Sequence, residues 1–231
     1  MINPSVSVDC VVFGFDGQKL NVLLIEQKDV GQSYKFALPG DHLDDSESLD
    51  DAAARVLKEL TGLSGLYLEQ CGAFGDPQRV NNQNDLPWLR TYRDNPEVRV
   101  ITIAYYALVK MDDFNPEASG FAERVFWQDV ESIPTLAFDH NQIYEQALKT
   151  LRHELTDLKV GFELLPEKFT LSHLQAVHEA ILNTTFDKRN FRKKAINDQW
   201  VTALDEKQQG VYHKPARLYT WNPEATSGRK V

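Results

Sequence analysis

The 231-residue chain is poor in cysteine: Cys10 and Cys71 each stand alone in an apolar, strand-like run, with no CxxC and no histidine cluster at metal spacing. This excludes a disulfide framework and a structural zinc site, and it predicts two buried free thiols. No apolar run approaches membrane-spanning length, and the opening MINPSVSVDC lacks the charged-then-apolar pattern of a secretory leader. A cytoplasmic protein is expected. Internal repeats and low-complexity segments are also absent. Positive charge is scarce overall, with 25 Lys and Arg against 34 Asp and Glu and a net charge of -9, an average that argues against nucleic acid as a partner. The average conceals an asymmetry. Residues 1–159 hold 14 basic and 26 acidic side chains, net -12, whereas residues 160–231 hold 11 and 8, net +3. An acidic body carries a basic tail, and the length suits two domains, each able to bury a core.

The acidic part reads as strands around one helix. Residues 6–14 and 19–26 are β-rich runs joined at Asp16-Gly17, a hairpin signal. Tyr34 to Leu38, Leu66 to Gly75, Val98 to Val109 and Glu123 to Gln128 are further strands, and Asp139 is placed to cap a helix with Gln142 at the capping-box position. The polar stretch 76–97 exceeds an ordinary connection. Its Trp88, Arg90, Tyr92 and Arg93 could close over a ligand, with Trp88 offering a stacking face, or Trp88 could anchor the loop or a dimer contact.

Ser48 is a good N-cap with Asp51 three residues on, and Leu49, Ala52, Ala53, Val56, Leu57 and Leu60 recur at helical spacing until Gly62, a left-handed stop. Residues 40–63, GDHLDDSESLDDAAARVLKELTGL, resemble the signature of the Nudix hydrolases, G-x5-E-x7-R-E-U-x-E-E-x-G-U with U a bulky aliphatic. Glu47, Arg55, Leu57, Glu59, Gly62 and Leu63 match it, whereas the opening glycine is Asp41 and two signature glutamates are Val56 and Leu60. A magnesium ion bound through carboxylates and substrate phosphates needs that charge. The resemblance therefore implies a Nudix domain without metal, cofactor or catalytic residues.

In the basic part, Thr170 caps a helix through Leu182, and Asp187 caps a second, DKRNFRKKAIN. Helix, short turn, basic helix is a helix-turn-helix pattern. At 100° per residue Phe191 and Ala195 face inward, leaving Arg189, Asn190, Lys193 and Lys194 outward. Arginine and asparagine suit bidentate reading of guanine and adenine, and lysines suit phosphates. Trp200 to Leu204 and Val211 to Tyr219 flank the turn DEKQQG as a two-stranded wing carrying His213, Lys214 and Arg217.

A Nudix-like part followed by FELLPEKFTLSHLQAVHEAIL, DKRNFRKK and KPARLY resembles the Nudix-related transcriptional regulators, a bacterial family joining a Nudix sensor to a winged helix. Within it the damaged box resembles the L-arabinose-responsive regulators of Bacteroidetes; other members bind ADP-ribose and control NAD metabolism. The resemblance implies an α/β fold, a Nudix-type α/β/α sandwich over residues 1–157 followed by a winged helix-turn-helix domain over 158–231. It further implies a homodimeric repressor on a double-stranded DNA operator, responding to a small effector, L-arabinose or alternatively ADP-ribose. Expected DNA-binding residues are Thr170, Ser172, Lys188, Arg189, Asn190, Arg192, Lys193, Lys194, His213, Lys214 and Arg217. Expected effector residues are Lys28, Asp41, His42, Glu47, Glu59, Trp88 and Arg99. A hydrolase of nucleoside diphosphate derivatives with unusual metal ligation, and an adaptor whose basic helix docks on an acidic protein, are the other classes left open.

Overall fold

The computed structural model describes residues 4–28, 34–80, 85, 89–90, 98–155, 162–212 and 214–224, with the side chains of Lys28 and Tyr34 excepted. The chain divides into two compact units, residues 1–14 with 21–150, and residues 15–20 with 151–231. The division falls inside a helix. The sequence-derived boundary at 157/158 lies outside the described residues.

In the first unit β1 (Ser5–Phe15) and β2 (Leu20–Lys28) are joined by a turn in which the Asp16 carboxylate accepts from the amides of Gln18 and Lys19, and Gly17 takes the φ of 96° that favours glycine. With β3 (Tyr34–Ala37), β4 (Gly40–His42), β5 (Glu69–Phe74), β6 (Val100–Lys110) and β7 (Arg124–Asp129) they form a seven-stranded sheet of order β3-β2-β1-β6-β5, β4 pairing with β1 and β7 with β2. Helix α1 (Leu49–Thr61) begins and ends as its sequence dictates: the Ser48 hydroxyl accepts from the Asp51 amide and Gly62 closes it in the left-handed region. Its Ala52, Ala53, Val56, Leu57 and Leu60 pack with Val8, Cys10, Val12 and Leu23 into one core.

Two expectations need correction. The strand predicted from Leu66 starts only at Glu69; Gly65 takes a left-handed turn (φ 72°), and Leu66 and Leu68 pack onto the core before the sheet resumes. Helix α2 (His140–Glu154) follows Asp139, but the Asp139 carboxylate does not cap it; it accepts from Arg79 instead.

The second unit holds α3 (Leu171–Leu182), α4 (Lys188–Asn197), β8 (Val201–Lys207) and β9 (Arg217–Trp221). Phe169 exchanges two backbone hydrogen bonds with Tyr219, which ties the entry of α3 to the wing. Leu174, Val177, His178, Ile181, Phe191, Ala195 and Trp200 are all buried. The wing differs from its prediction: β8 runs on to Lys207, and β9 begins only after Pro215, which has no amide to give a ladder. No helix among the described residues is long and apolar enough to cross a membrane.

Candidate functional site

The signature residues of α1 are organised around Arg55. Its guanidinium donates to Glu47 at 2.6 and 2.9 Å, to Glu59 at 3.1 Å and to the His42 carbonyl at 2.8 Å. The Arg55 hydrogen bond, aided by the Asp44 amide, pulls the Glu47 carboxyl down to about 2. Both acids are thus committed to an internal cation. Val56 and Leu60, where the signature has glutamates, are buried in the core at 0 % and 3 % exposure. The segment after β6 closes over them: the Glu117 and Ser119 amides donate to the Thr61 and Leu60 carbonyls, the Ser119 hydroxyl donates to the Glu59 carbonyl, and a Cβ on Gly120 would lie 3.1 Å from Leu60. Among the described residues no three His, Cys, Asp or Glu side chains are grouped to hold a metal.

Beside the box lies a pocket of about 610 Å³ empty volume including its mouth, lined by apolar Ile25, Leu38, Val80, Leu89, Phe121 and Phe138 and by polar Ser7, Asp9, Asp41, Arg79 and His140. Its polar groups form a network. Arg79, 7 % exposed, donates to Asp139 at 2.8 and 2.9 Å and to Asp9 at 3.3 Å. Burial opposes the Arg79 charge, but the Asp139 hydrogen bonds and the Asp9 charge outweigh it and raise its pKa. The Leu38 amide donates to His140 Nδ1 at 3.0 Å, which leaves the Nε2 proton facing Asp9 Oδ1 at 3.4 Å. Burial drives His140 toward the neutral form. Gly40, opposite Asp9 in the β1–β4 pairing, is required here, since a Cβ would stand 1.9 Å from Asp9 Oδ1. At the pocket edge Asp85 pairs with Lys35 at 2.7 Å and accepts the Phe138 amide at 3.0 Å, holding Phe138 in the left-handed region at φ 58°.

Of the effector residues expected from sequence, Asp41 lines this pocket. Glu47 and Glu59 are held by Arg55; His42 Nδ1 lies 3.1 Å from the Val6 carbonyl, and Arg99 donates to the Gly75 carbonyl at 2.9 Å. Trp88 and the Lys28 side chain lie outside the described residues. Asp9, Arg79 and His140, which sequence reasoning did not single out as ligand groups, line the pocket, with Asp139 behind them holding Arg79.

In the second unit the Asp187 carboxylate accepts the Asn190 amide at 2.8 Å, starting α4. Phe191 and Ala195 are buried, and Lys188, Arg189, Asn190, Arg192, Lys193 and Lys194 are exposed. The six do not stand equally ready for a ligand. Arg192 donates to Ser172 at 2.9 Å; Lys194 pairs with Asp198 at 2.7 Å and lies 5.2 Å from the Trp200 ring centre. Lys188, Arg189 and Lys193 have no ion-pair partner among the described residues. Thr170 is buried, its hydroxyl accepting the His173 amide to cap α3, so it positions this face without presenting to it. On the wing Arg217 donates to Asp205 and to the Leu204 carbonyl, and Lys214 is exposed; His213 lies outside the described residues.

A sheet with the box helix against it and a displaced metal face is the frame of one enzyme family, and the NUDIX domain model matches residues 3–151. The chain belongs to the Nudix family. Behind that Nudix domain, residues 161–221 match the NrtR DNA-binding winged helix domain. The ADPR responsive transcriptional repressor NtrR of Acinetobacter baylyi is 29% identical over 221 residues, which span 94% of this chain and 82% of that protein. Shewanella oneidensis NrtR, solved with a 27mer DNA, superposes with a TM-score of 0.68 at 27% identity, covering 96% of this chain and 95% of that one. The NUDIX domain of the same protein, solved with ADP ribose, covers 65% of this chain and 90% of its own at a TM-score of 0.52 and 27% identity. A Nudix domain followed by a winged helix is therefore the architecture, as the resemblance implied.

Proposed function

We propose that the protein is a transcriptional repressor that binds DNA through the α4 face and is regulated by ADP-ribose in its Nudix unit, which binds the ligand without hydrolysing it. The observation that carries this reading is likeness along both units to a repressor named for its response to ADP-ribose. The pocket agrees with it. It sets apolar walls beside polar Asp9, Asp41, Arg79 and His140, a lining suited to a ligand with both an apolar ring face and polar groups. The expectation of L-arabinose rested on the damaged box alone. Loss of Val56 and Leu60 as acids removes metal ligands, but it does not remove a pocket for a nucleotide sugar. The burial of those two side chains and the commitment of Glu47 and Glu59 to Arg55 support binding without turnover. The DNA-bound form is a homodimer on a two-fold-related operator, because a single α4 reads too few base pairs to be selective.

Calorimetric titration with ADP-ribose and separately with L-arabinose, followed by a magnesium-dependent assay for AMP and ribose 5-phosphate formed from ADP-ribose, tests the sensor half. Saturable heat with ADP-ribose alone and no turnover is the expected outcome. Heat with arabinose alone, or magnesium-dependent cleavage, would overturn it.

A further inference from the structure

Resting on the reading above, we infer that the pocket takes an uncharged ribose ring of the ligand, its vicinal hydroxyls donating to Asp9, Asp41 and Ser7, and that the phosphates stay outside. All the residues concerned lie in the first unit. The charge balance of the lining points this way. Arg79 is the one cationic side chain among the described residues that line the pocket, and two carboxylates already engage it, Asp139 at 2.8 Å and Asp9 at 3.3 Å. His140 adds no positive charge, since its Nδ1 accepts the Leu38 amide and burial drives the ring toward the neutral form. Asp41 adds a further negative charge where the pocket meets solvent. Lining and network together thus set three carboxylates, Asp9, Asp41 and Asp139, against one guanidinium. A phosphate placed there would meet like charge with no free cation to answer it, and burying a charge without a partner is strongly unfavourable.

Acceptors, by contrast, are in surplus. Asp9 meets Arg79 and His140 only at 3.3 and 3.4 Å, long contacts that leave most of a carboxylate's lone pairs open. Asp41 Oδ1 accepts the His42 amide at 2.7 Å, which leaves Oδ2 for a ligand. Ser7 stands two residues before Asp9 on the same face of β1; it is 5 % exposed, and its hydroxyl has no hydrogen bond to any of the described residues. Donors without charge suit such a set, and Leu38, Phe121 and Phe138 offer apolar contact to the carbon face of a ring. Dinucleotide sites use the same logic, a carboxylate that accepts from a ribose hydroxyl and disfavours a phosphate on it. ADP-ribose carries two ribose rings, and the chemistry of the lining suits either.

Calorimetric titrations of the DNA-free full chain compare ADP-ribose with two analogues that carry one more phosphate, on the 2′-hydroxyl of the adenosine ribose or on the 1″-hydroxyl of the terminal ribose. The analogue whose added phosphate falls on the entering ring binds about 100-fold or more weakly than ADP-ribose, and so identifies that ring. In Asp41→Asn, which keeps the shape of the side chain and removes its charge, this discrimination narrows by about 5-fold. Ser7→Ala lowers ADP-ribose affinity by about 2- to 10-fold, the contribution of one hydrogen bond. Exclusion of the phosphate by bulk alone would be the same in the natural protein and in Asp41→Asn. Analogues that both bind as tightly as ADP-ribose, a discrimination that Asp41→Asn leaves unchanged, or an affinity indifferent to Ser7→Ala would overturn the inference while leaving the effector reading in place. A natural protein that does not bind ADP-ribose would sink the effector reading and the inference with it.

Discussion

Arg55 shows how a catalytic signature can persist as a structural clamp. Its bonds to Glu47, Glu59 and the His42 carbonyl tie α1 to the β4 loop, and the positions that would complete a metal cluster have joined the core. Val56→Glu therefore restores the family's letter without its chemistry. It buries a carboxylate among Val8, Cys10 and Leu57 and lowers stability by about 3 kcal/mol or more, read as a urea midpoint shift at constant slope. An unshifted midpoint would mean that the site opens to solvent. His178 provides the pH counterpart. It lies between Phe191 and Trp200, stacked on the latter at 7°; its Nδ1–H donates to the Leu174 carbonyl and its buried Nε2 has no partner. Burial depresses its pKa from 6.5 to about 4, so the unfolded chain takes the proton first. The stability it contributes is complete above pH 6.5 and is lost as pH falls toward 4, a change of about 3 kcal/mol. Urea titrations followed by Trp fluorescence at pH 7 and pH 4.5 check this, and the difference shrinks in His178→Leu. The damaged signature could be read from the sequence because it occupies consecutive positions of one helix. The pocket could not be read: Asp9, Arg79 and His140 sit on a strand, a loop and a helix start with no shared periodicity. The β1–β4 pairing sets Asp9 against the bare Gly40, and Arg79 and His140 reach Asp9 from distant parts of the chain.

Among the elements, α4, the helix proposed to contact DNA, was the most legible, because cap and stripe agree: Asp187 begins it, and Phe191 and Ala195 point inward as the 100° spacing requires. What spacing could not rank is which cations are already engaged. Lys194 is held by Asp198 and Trp200 and Arg192 by Ser172, whereas Arg189 and Lys193 are unengaged among the described residues. Lys193→Gln therefore weakens binding to all sequences alike and lowers the slope of log K against log salt by about 0.9, the release of one counterion. Arg189→Ala weakens operator binding by about 1–3 kcal/mol and relaxes base preference at one position of each half-site. Binding titrations at four salt concentrations, on operator and scrambled DNA, separate the two. Equal losses on both DNAs for Arg189→Ala would assign it to phosphate. Helix α2 was legible as an element but not in its start, since Asp139 reads as a cap from sequence and proves to be a partner of Arg79. The wing was misjudged for the same kind of reason: a β-rich run interrupted by Pro215 begins its ladder only beyond it.

At the scale of the whole molecule, the asymmetry of charge assigns the work. Net charge of -12 over residues 1–159 disfavours DNA there, and +3 over residues 160–231 agrees with the proposed nucleic-acid surface on the winged helix. Regulation then requires that ligand bind the DNA-free conformation more tightly than the DNA-bound one, since equal affinity for both would shift nothing. The measurement that tests this most directly is fluorescence anisotropy of the full chain on a labelled fragment of its own upstream DNA, titrated with ADP-ribose and, separately, with L-arabinose. Specific binding in low salt that ADP-ribose releases and arabinose leaves untouched is the predicted result. Release by arabinose alone, or no specific binding under either condition, would contradict the account.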